Sequence, residues 1–182
     1  LDRLKDLGIN NLRLMVGSEG PDTAPWRMLP TLQPEPGIYN TDLLEGLDFL
    51  LDEMRKRQMY AVMCLNNFWP WSGGMAQYVN WYDIAEIPYP PPAENGSWTK
   101  YQLYTAKFYK NNNAIAAFEK YIKKIVGRKN SYSGIAYKEE PAIMAWQLAN
   151  EPRGIISKKA FNKWIDRTAR LIKSLDNNHL VT

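Results

Sequence analysis

The order in which helical and strand-like patterns alternate is the strongest constraint that this sequence places on its fold. Apolar residues recur at helical spacing in four stretches, and a short apolar run follows each of them. The runs cover residues 12–16, 60–65, 143–148 and 179–182. Short apolar strands that alternate with helices indicate a parallel sheet with helices on its faces. The sequence therefore predicts the α/β class, in the order α-β-α-β-α-β-α-β.

The placement of polar residues favours a barrel over an open doubly wound sheet. No Gly-rich phosphate-binding turn follows a strand. Arg13 lies in the first run, and polar pairs at 66–67 and 150–151 follow the next two, where a barrel has its active-site face. Since a closed barrel takes roughly 250 residues, we predict a (β/α)8 TIM barrel of which this chain covers strands two to five and helices one to four. Residues 1–182 are then the N-terminal portion of a single catalytic domain.

Composition and charge argue against several classes of partner. The net charge of +4 is spread along helical stretches, so no nucleic-acid partner is expected. No apolar run approaches the roughly eighteen residues that a membrane span needs. Cys64 lies in an apolar strand, where a buried inert thiol is expected. His, Cys and carboxylate residues are not clustered at ligand spacing, so neither a metal nor another cofactor is predicted.

The segment of residues 66–113 contains several of the seven tryptophans and shows neither helical nor strand periodicity. We predict an irregular loop, and loops of this length are usually functional. Trp69 and Trp71 lie here, close to Gly73 and Gly74. Aromatic rings in such a setting suit flat, partly apolar ligands, of which sugar rings are one class.

Glu151 follows the third strand and precedes Pro152, which places its carboxylate at the carboxyl-terminal mouth of the sheet. Burial against Trp146 would raise the pKa of this carboxyl, as a general acid requires. A capping role, or an ion pair with Arg153, explains the residue equally well on its own. The neighbouring Asn150 favours catalysis, because an amide here can bind the sugar hydroxyl next to the reacting carbon.

Three segments carry a family resemblance. Residues 130–153, which end in the letters WQLANEPR, closely resemble the β-mannanases of glycoside hydrolase family 5, a family of retaining (β/α)8 glycosidases. The letters NNLRL at residues 10–14 resemble the family's second strand with its active-site arginine. The letters NNFW at 66–69 and GGM at 73–75 resemble the mannanase loop after strand three. The resemblance extends over the whole chain.

The resemblance implies a role for each matching residue. Glu151 is expected to be the general acid/base, which protonates the leaving oxygen and then activates water against the glycosyl-enzyme. Asn150 is expected to hold the 2-hydroxyl, and Arg13 to keep the nucleophile carboxylate ionised. The substrate-binding residues that it implies are Asn66, Asn67, Trp69 and Arg153. Core packing of Trp69, and a helix-cap or salt-bridge role of Arg153, stay open as alternatives.

The family's nucleophile is a glutamate after strand seven, and no residue of this chain matches it. Glu139 and Glu140 precede their strand, which places them at the opposite, stability-related end. His179 begins the last strand at that same end. Glu19 is on the catalytic side, where we expect a turn or solvent role for it. The second carboxylate is therefore expected outside residues 1–182, about 5–5.5 Å from Glu151.

The resemblance implies an endo-acting retaining hydrolase of β-1,4-mannosidic bonds in mannan, galactomannan and glucomannan. A monomer is expected, in an extracellular or periplasmic location because polymeric mannan cannot enter a cell intact. Two alternatives remain: an endo-β-1,4-glucanase of the same clan, and a non-catalytic carbohydrate-binding fragment. The pair Asn66 and Asn67 favours the mannanase, since many cellulose-cutting relatives carry a histidine there.

Overall fold

The computed structural model describes residues 1–182 and contains one sheet of four parallel strands. The strands are β1 (Asn11–Met15), β2 (Tyr60–Cys64), β3 (Ile143–Gln147) and β4 (Leu180–Val181), and they lie side by side in chain order. A doubly wound sheet would reverse its strand order at a switch point. The unbroken order is that of a (β/α)8 barrel, so the predicted fold class is confirmed.

Six α-helices accompany the sheet. They are α1 (Asp2–Asp6), α2 (Thr41–Lys56), α3 (Gly74–Tyr82), α4 (Trp98–Thr105), α5 (Asn112–Val126) and α6 (Lys158–Leu175). The helices α1, α2, α5 and α6 alternate with the strands, as predicted. None of the six is long and apolar enough to span a membrane.

Side-chain caps determine where two of these helices begin. Asn40 caps α2 by accepting hydrogen bonds from the backbone N–H groups of Asp42 and Leu43. Ser157 caps α6 by accepting one from Ala160. In both cases the cap oxygen satisfies donors that have no partner within the helix.

The prediction of an irregular loop for residues 66–113 was wrong, because this segment contains α3, α4 and two 3₁₀ turns, Pro70–Ser72 and Ala106–Lys110. Six of the nine residues of α3 are buried. A helix that is buried on most sides lacks the polar stripe that would reveal its period. The ring of Tyr78 on α3 packs against Phe108 and Phe118, at centroid distances of 6.1 and 5.7 Å. This aromatic packing anchors the segment to α5.

Asp48 of α2 joins that helix to the segment that precedes β3. Arg128 donates to both carboxylate oxygens over 2.7 and 2.6 Å, and the Tyr137 hydroxyl donates over 2.5 Å. The backbone N–H and the hydroxyl of Ser131 add two more hydrogen bonds. Burial by itself raises the pKa of Asp48, but these donors outweigh it and lower the pKa below its ordinary value. The carboxylate is therefore held ionised in the interior.

Two further side chains at the amino ends of the strands make structural contacts. His179 Nδ1 lies 2.6 Å from Asp176 Oδ2, and its Nε2 lies 3.1 Å from the backbone oxygen of Glu140. The Glu140 carboxyl is fully buried; one oxygen accepts the Ala142 N–H over 3.2 Å and the other has no partner. Burial raises the pKa of Glu140. This end of the sheet is occupied by contacts within the protein.

Candidate active site

The carboxyl ends of the first three strands bring Arg13, Asn67 and Asn150 together. Arg13 Nη2 donates to Asn150 Oδ1 over 2.9 Å, and Asn150 Nδ2 donates to Asn67 Oδ1 over 3.0 Å. Arg13 Nε also donates to Gln147 Oε1 over 2.6 Å. Gln147 was not predicted, although a polar residue in an apolar strand was its signal. Residues from three separate sequence motifs thus form one hydrogen-bonded network.

Asn66 and Asn67 do not reach the surface at which a substrate would bind. Both are 0% exposed. The Asn66 oxygen Oδ1 accepts the Asn67 N–H over 2.7 Å. Asn67 Nδ2 donates to Ser72 Oγ over 3.0 Å, and its Oδ1 accepts the Trp69 N–H over 3.1 Å. The expectation of direct sugar contact is corrected, because both side chains are buried; the Asn67 amide holds the loop that carries Trp69, and Asn66 Nδ2 is buried without a partner.

Glu151 is exposed and hydrogen-bonds to Trp69, whose Nε1–H donates to Oε2 over 2.6 Å. The expected contact with Trp146 was wrong, because that indole is buried and donates to Asp176 over 2.7 Å. Successive side chains of a strand point to opposite faces. Gln147 faces Arg13, and Trp146 therefore faces the helix side of the sheet.

The backbone of Glu151 adopts a left-handed conformation, with φ of 46°. For a residue with a Cβ atom this conformation costs on the order of 1 kcal/mol or more, and such residues cluster at active sites. Two residues further on, the Arg153 N–H donates to the Tyr109 hydroxyl over 3.1 Å. The chain after β3 is therefore tied to the 3₁₀ turn Ala106–Lys110 just beyond the strained residue.

Arg153 stacks on the aromatic partner of Glu151. Its guanidinium carbon lies 4.8 Å from the Trp69 ring centroid, and Nη1 is 3.4 Å from Gln102 Oε1. Trp98 packs edge-on against Trp69 at 5.6 Å. Arg153 forms no salt bridge, so the alternative of an ion pair is not what the structure contains. Arg153 and Trp98 are exposed and Trp69 is half-buried, so the cation and the two rings border the carboxylate at the surface.

A cleft of about 480 Å³ borders Trp69. Its walls are tryptophan and proline side chains from three parts of the chain: Trp26, Trp69, Pro70, Trp71, Pro90, Pro91, Pro92 and Trp98. Flat apolar rings of this kind suit the apolar faces of sugars. Trp26 and Trp98 were not predicted as site residues, because they are distant from the motifs in sequence.

Glu19 is buried rather than in contact with solvent, which corrects the predicted turn or solvent role. Its residue exposure is 1%. Oε2 accepts the Gly74 N–H over 2.8 Å, and Oε1 has no partner. Burial raises the pKa of Glu19 to about 8, and the Gly74 hydrogen bond and the charge of Arg27 offset this only in part. Its sequence neighbours, Gly17 to Gly20, resemble a turn and hide the burial.

The fold and the site together define a class of protein. A parallel barrel segment with an arginine, an amide and a carboxylate at the carboxyl ends of its strands, beside an aromatic cleft, is the arrangement of a (β/α)8 glycoside hydrolase. The family model described as "GH family 5 beta-mannosidase-like" matches residues 1–182. The chain belongs to glycoside hydrolase family 5, which confirms the resemblance. No group of three or more His, Cys, Asp or Glu side chains is placed to hold a metal ion.

Two curated relatives and two solved structures illustrate the similarity. Mannan endo-1,4-beta-mannosidase 1 of Solanum lycopersicum is 36% identical over 98% of this chain and 41% of that protein. Mannan endo-1,4-beta-mannosidase 4 of Oryza sativa subsp. japonica is 32% identical over 96% of this chain and 34% of that protein. The family 5 mannosidase from Rhizomucor miehei superimposes with a TM-score of 0.91 at 40% identity, over 100% of this chain and 43% of that one. The endo-beta-1,4-mannanase from Thermotoga petrophila superimposes with a TM-score of 0.79 at 28% identity, over 100% of this chain and 37% of that one. The chain thus spans less than half the length of these proteins.

Proposed function

We propose that the protein is a retaining glycoside hydrolase that cleaves β-1,4-mannosidic bonds within mannan, galactomannan or glucomannan. The observation that carries the proposal is the contact between Glu151 and Trp69, next to the network of Arg13, Asn67 and Asn150. Relatives named as mannan endo-1,4-beta-mannosidases support a mannose-based substrate. The size of such polymers favours action outside the cytoplasm, in an extracellular or periplasmic location, and we propose that the enzyme acts as a monomer.

Glu151 transfers protons in both steps of the proposed reaction. It first protonates the leaving glycosidic oxygen, and the resulting carboxylate then takes a proton from the water that hydrolyses the glycosyl-enzyme. The Trp69 N–H binds one carboxylate oxygen and leaves the other open to substrate. The fixed ring therefore orients the proton donor without occupying it.

Arg13 and Asn150 are placed for the nucleophile side of the reaction. Arg13 uses Nε and Nη2 in hydrogen bonds within this chain, which leaves Nη1 for the carboxylate of the nucleophile, a glutamate that we place outside residues 1–182. The positive charge of Arg13 beside the nucleophile would favour the ionised form of its carboxyl. Asn150 uses one of its two N–H donors on Asn67 and retains the other for the sugar 2-hydroxyl.

An exo-acting β-mannosidase is a second candidate. The matching family model is described as beta-mannosidase-like, and the 40% identical structure from Rhizomucor miehei is that of a mannosidase. Chromatography of early products from mannohexaose separates the two: an endo enzyme releases mixtures such as mannobiose with mannotetraose, whereas an exo enzyme releases mannose and leaves mannopentaose.

The central test is Glu151→Ala in the full-length protein. We expect a loss of several orders of magnitude on galactomannan, with partial rescue by azide on substrates that have good leaving groups. Glu139→Ala is the control, because that glutamate is exposed at the amino end of β3. Near-normal turnover by Glu151→Ala would refute the acid/base role. Equal or greater wild-type activity on carboxymethyl-cellulose would instead favour the glucanase.

A further inference from the structure

We propose that Glu19 is a positioning residue for catalysis, because it holds the turn of residues 70–74 that places Trp69 on Glu151 and Asn67 against Asn150. The inference rests on the proposed acid/base function of Glu151. Glu19 itself lies in the segment after β1 and does not touch the network that contains Arg13.

The turn contacts Glu19 through three consecutive residues. The Glu19 N–H donates to the Ser72 backbone oxygen over 2.8 Å, and Glu19 Oε2 accepts the Gly74 N–H over 2.8 Å. A Cβ atom on Gly73, which has a φ of 80°, would lie 2.0 Å from the Glu19 backbone oxygen. The turn therefore fits against Glu19 without room for a side chain between them.

The opposite side of the turn fits against Asn67. Asn67 Nδ2 donates to Ser72 Oγ over 3.0 Å, and the Asn67 backbone oxygen accepts the Met75 N–H over 2.9 Å. A Cβ atom on Gly74 would lie 2.2 Å from that oxygen. Because the turn is confined on both sides, a shift at Glu19 is transmitted to Asn67.

Asn67 contacts Asn150 directly and is linked to Glu151 through Trp69. Its Oδ1 accepts one hydrogen bond from the Trp69 backbone N–H and another from Asn150 Nδ2, over 3.1 and 3.0 Å. Trp69 Nε1 in turn donates to Glu151 over 2.6 Å. A small displacement of a proton donor lowers the reaction rate. A shift of Trp69 would therefore move Glu151 and slow protonation of the leaving group.

The surroundings of the Glu19 carboxyl favour its neutral form. The groups near it are the Arg27 guanidinium, which donates to the Glu19 backbone oxygen, the hydroxyls of Tyr39, Tyr78 and Tyr121, and the Cys64 thiol. Arg27 is the sole opposite charge among them. Since burial raises the Glu19 pKa to about 8, ionisation above that pH places a charge beside the turn, and we expect the turn to loosen.

The test compares two substrates with Glu19→Ala in the full-length protein. Mannohexaose has a sugar leaving group that needs protonation, whereas 2,4-dinitrophenyl β-mannotrioside has a phenolate leaving group that does not, and both are long enough for an enzyme that cuts within chains. Values of kcat/KM report the first chemical step for both. We expect a loss of about tenfold to a hundredfold on mannohexaose and of less than about threefold on the aryl mannotrioside.

Glu140→Ala is the matched control. Like Glu19, Glu140 is buried, accepts one backbone N–H and has one unpartnered oxygen, but it lies at the amino end of β3. We expect it to lower stability without any dependence on the leaving group. Glu19→Gln retains an acceptor for Gly74 and cannot ionise, so it should keep near-normal activity at pH 6 and lose the part of the alkaline decline that Glu19 causes.

Each outcome decides one of the two proposals. Equal losses on both substrates, or no loss on either, would overturn the positioning role of Glu19. If Glu19→Ala does not fold, an alkaline decline in Glu19→Gln identical to that of the wild type overturns it instead. Glu151→Ala is assayed alongside. Normal cleavage of mannohexaose by Glu151→Ala defeats the proposed function itself. If Glu151→Ala is inactive and Glu19→Ala loses activity equally on both substrates, only the positioning role is defeated.

Discussion

Two buried carboxylates, Asp48 and Glu19, have pKa values that move in opposite directions. Asp48 accepts five hydrogen bonds, two of them from one guanidinium, and its pKa falls. Glu19 accepts one hydrogen bond through its carboxyl, and its pKa rises to about 8. Burial disfavours the charged form in both cases. The comparison teaches that hydrogen-bond donors, above all a paired guanidinium, can keep an acid charged even where its side chain is closed to solvent.

The same contrast separates the two regions in which these residues lie. Around Asp48 both carboxylate oxygens are saturated by protein donors. At the catalytic side the polar groups are mostly neutral amides, and Glu151 and Arg13 retain unused hydrogen-bonding capacity. A site whose polar groups all have hydrogen-bond partners within the protein stabilises the fold. A site that binds a substrate keeps some of these groups without partners and stabilises the fold less.

Replacement of Asp48 by Ala tests the stabilising region and should have the largest effect. It leaves the Arg128 guanidinium partly buried without its carboxylate, so we expect a loss of about 3–5 kcal/mol in the free energy of unfolding. Urea unfolding of the full-length protein measures it. A loss below about 1 kcal/mol would mean that the five hydrogen bonds contribute little, and the comparison would fail.

The pH dependence of stability sharpens the contrast between the two acids. From pH 5 to 8 the unfolded chain has lost the Glu19 proton, whose ordinary pKa is 4.5, while the folded chain retains it to about 8. Stability therefore falls as the pH rises through this range, and Glu19→Gln should remove about 2–4 kcal/mol of that fall. Asp48 acts in the opposite sense, because its lowered pKa stabilises the fold above about pH 4 and this contribution disappears on acidification. The free energy of unfolding is measured at several pH values for wild type and Glu19→Gln. Equal decreases between pH 5 and pH 8 in the two proteins would contradict the expectation for Glu19.

Tyr137→Phe removes a single donor from Asp48. The lost hydroxyl makes a 2.5 Å hydrogen bond in the interior, so we expect a decrease of about 1–2 kcal/mol in stability with no change in kcat. Chemical denaturation and an assay on galactomannan check both parts. A change in kcat would show that the two regions are coupled.

Arg170→Ala gives the smallest expected effect. Arg170 pairs with Asp166 one turn away on α6, and both side chains are largely exposed. Exposed pairs of this kind are screened by water and salt. We expect a melting temperature within the error of the wild type, which provides the baseline for the buried pair at Asp48.

Local patterns in the sequence predicted the alternating helices and strands, because each amphipathic helix and apolar strand is determined by its own letters. The fold class and the strand positions follow from such patterns. Helix α3 was missed because tertiary packing buries it on most sides, so its sequence shows no apolar periodicity. Helix α4 was missed because its apolar and polar residues are not separated onto two faces.

The candidate site divides in the same way. Arg13, Asn150 and Glu151 lie in short motifs that adjoin strands, and a motif of this kind can be found in one sequence. The burial of Glu19 and Asn67 depends on contacts between residues tens of positions apart, such as Glu19 with Gly74. The partner of Glu151 was predicted as Trp146 and is Trp69, because strand alternation turns residue 146 away from the mouth.

The left-handed backbone at Glu151 has an evolutionary consequence. At a φ of 46° the fold alone would select glycine, or asparagine, which tolerate this conformation better than glutamate does. The acid/base role proposed for Glu151 instead requires a carboxylate at the same position. Selection for stability and selection for the proposed reaction therefore favour different residues here. A mutation that relieves the backbone strain also removes the proposed proton donor.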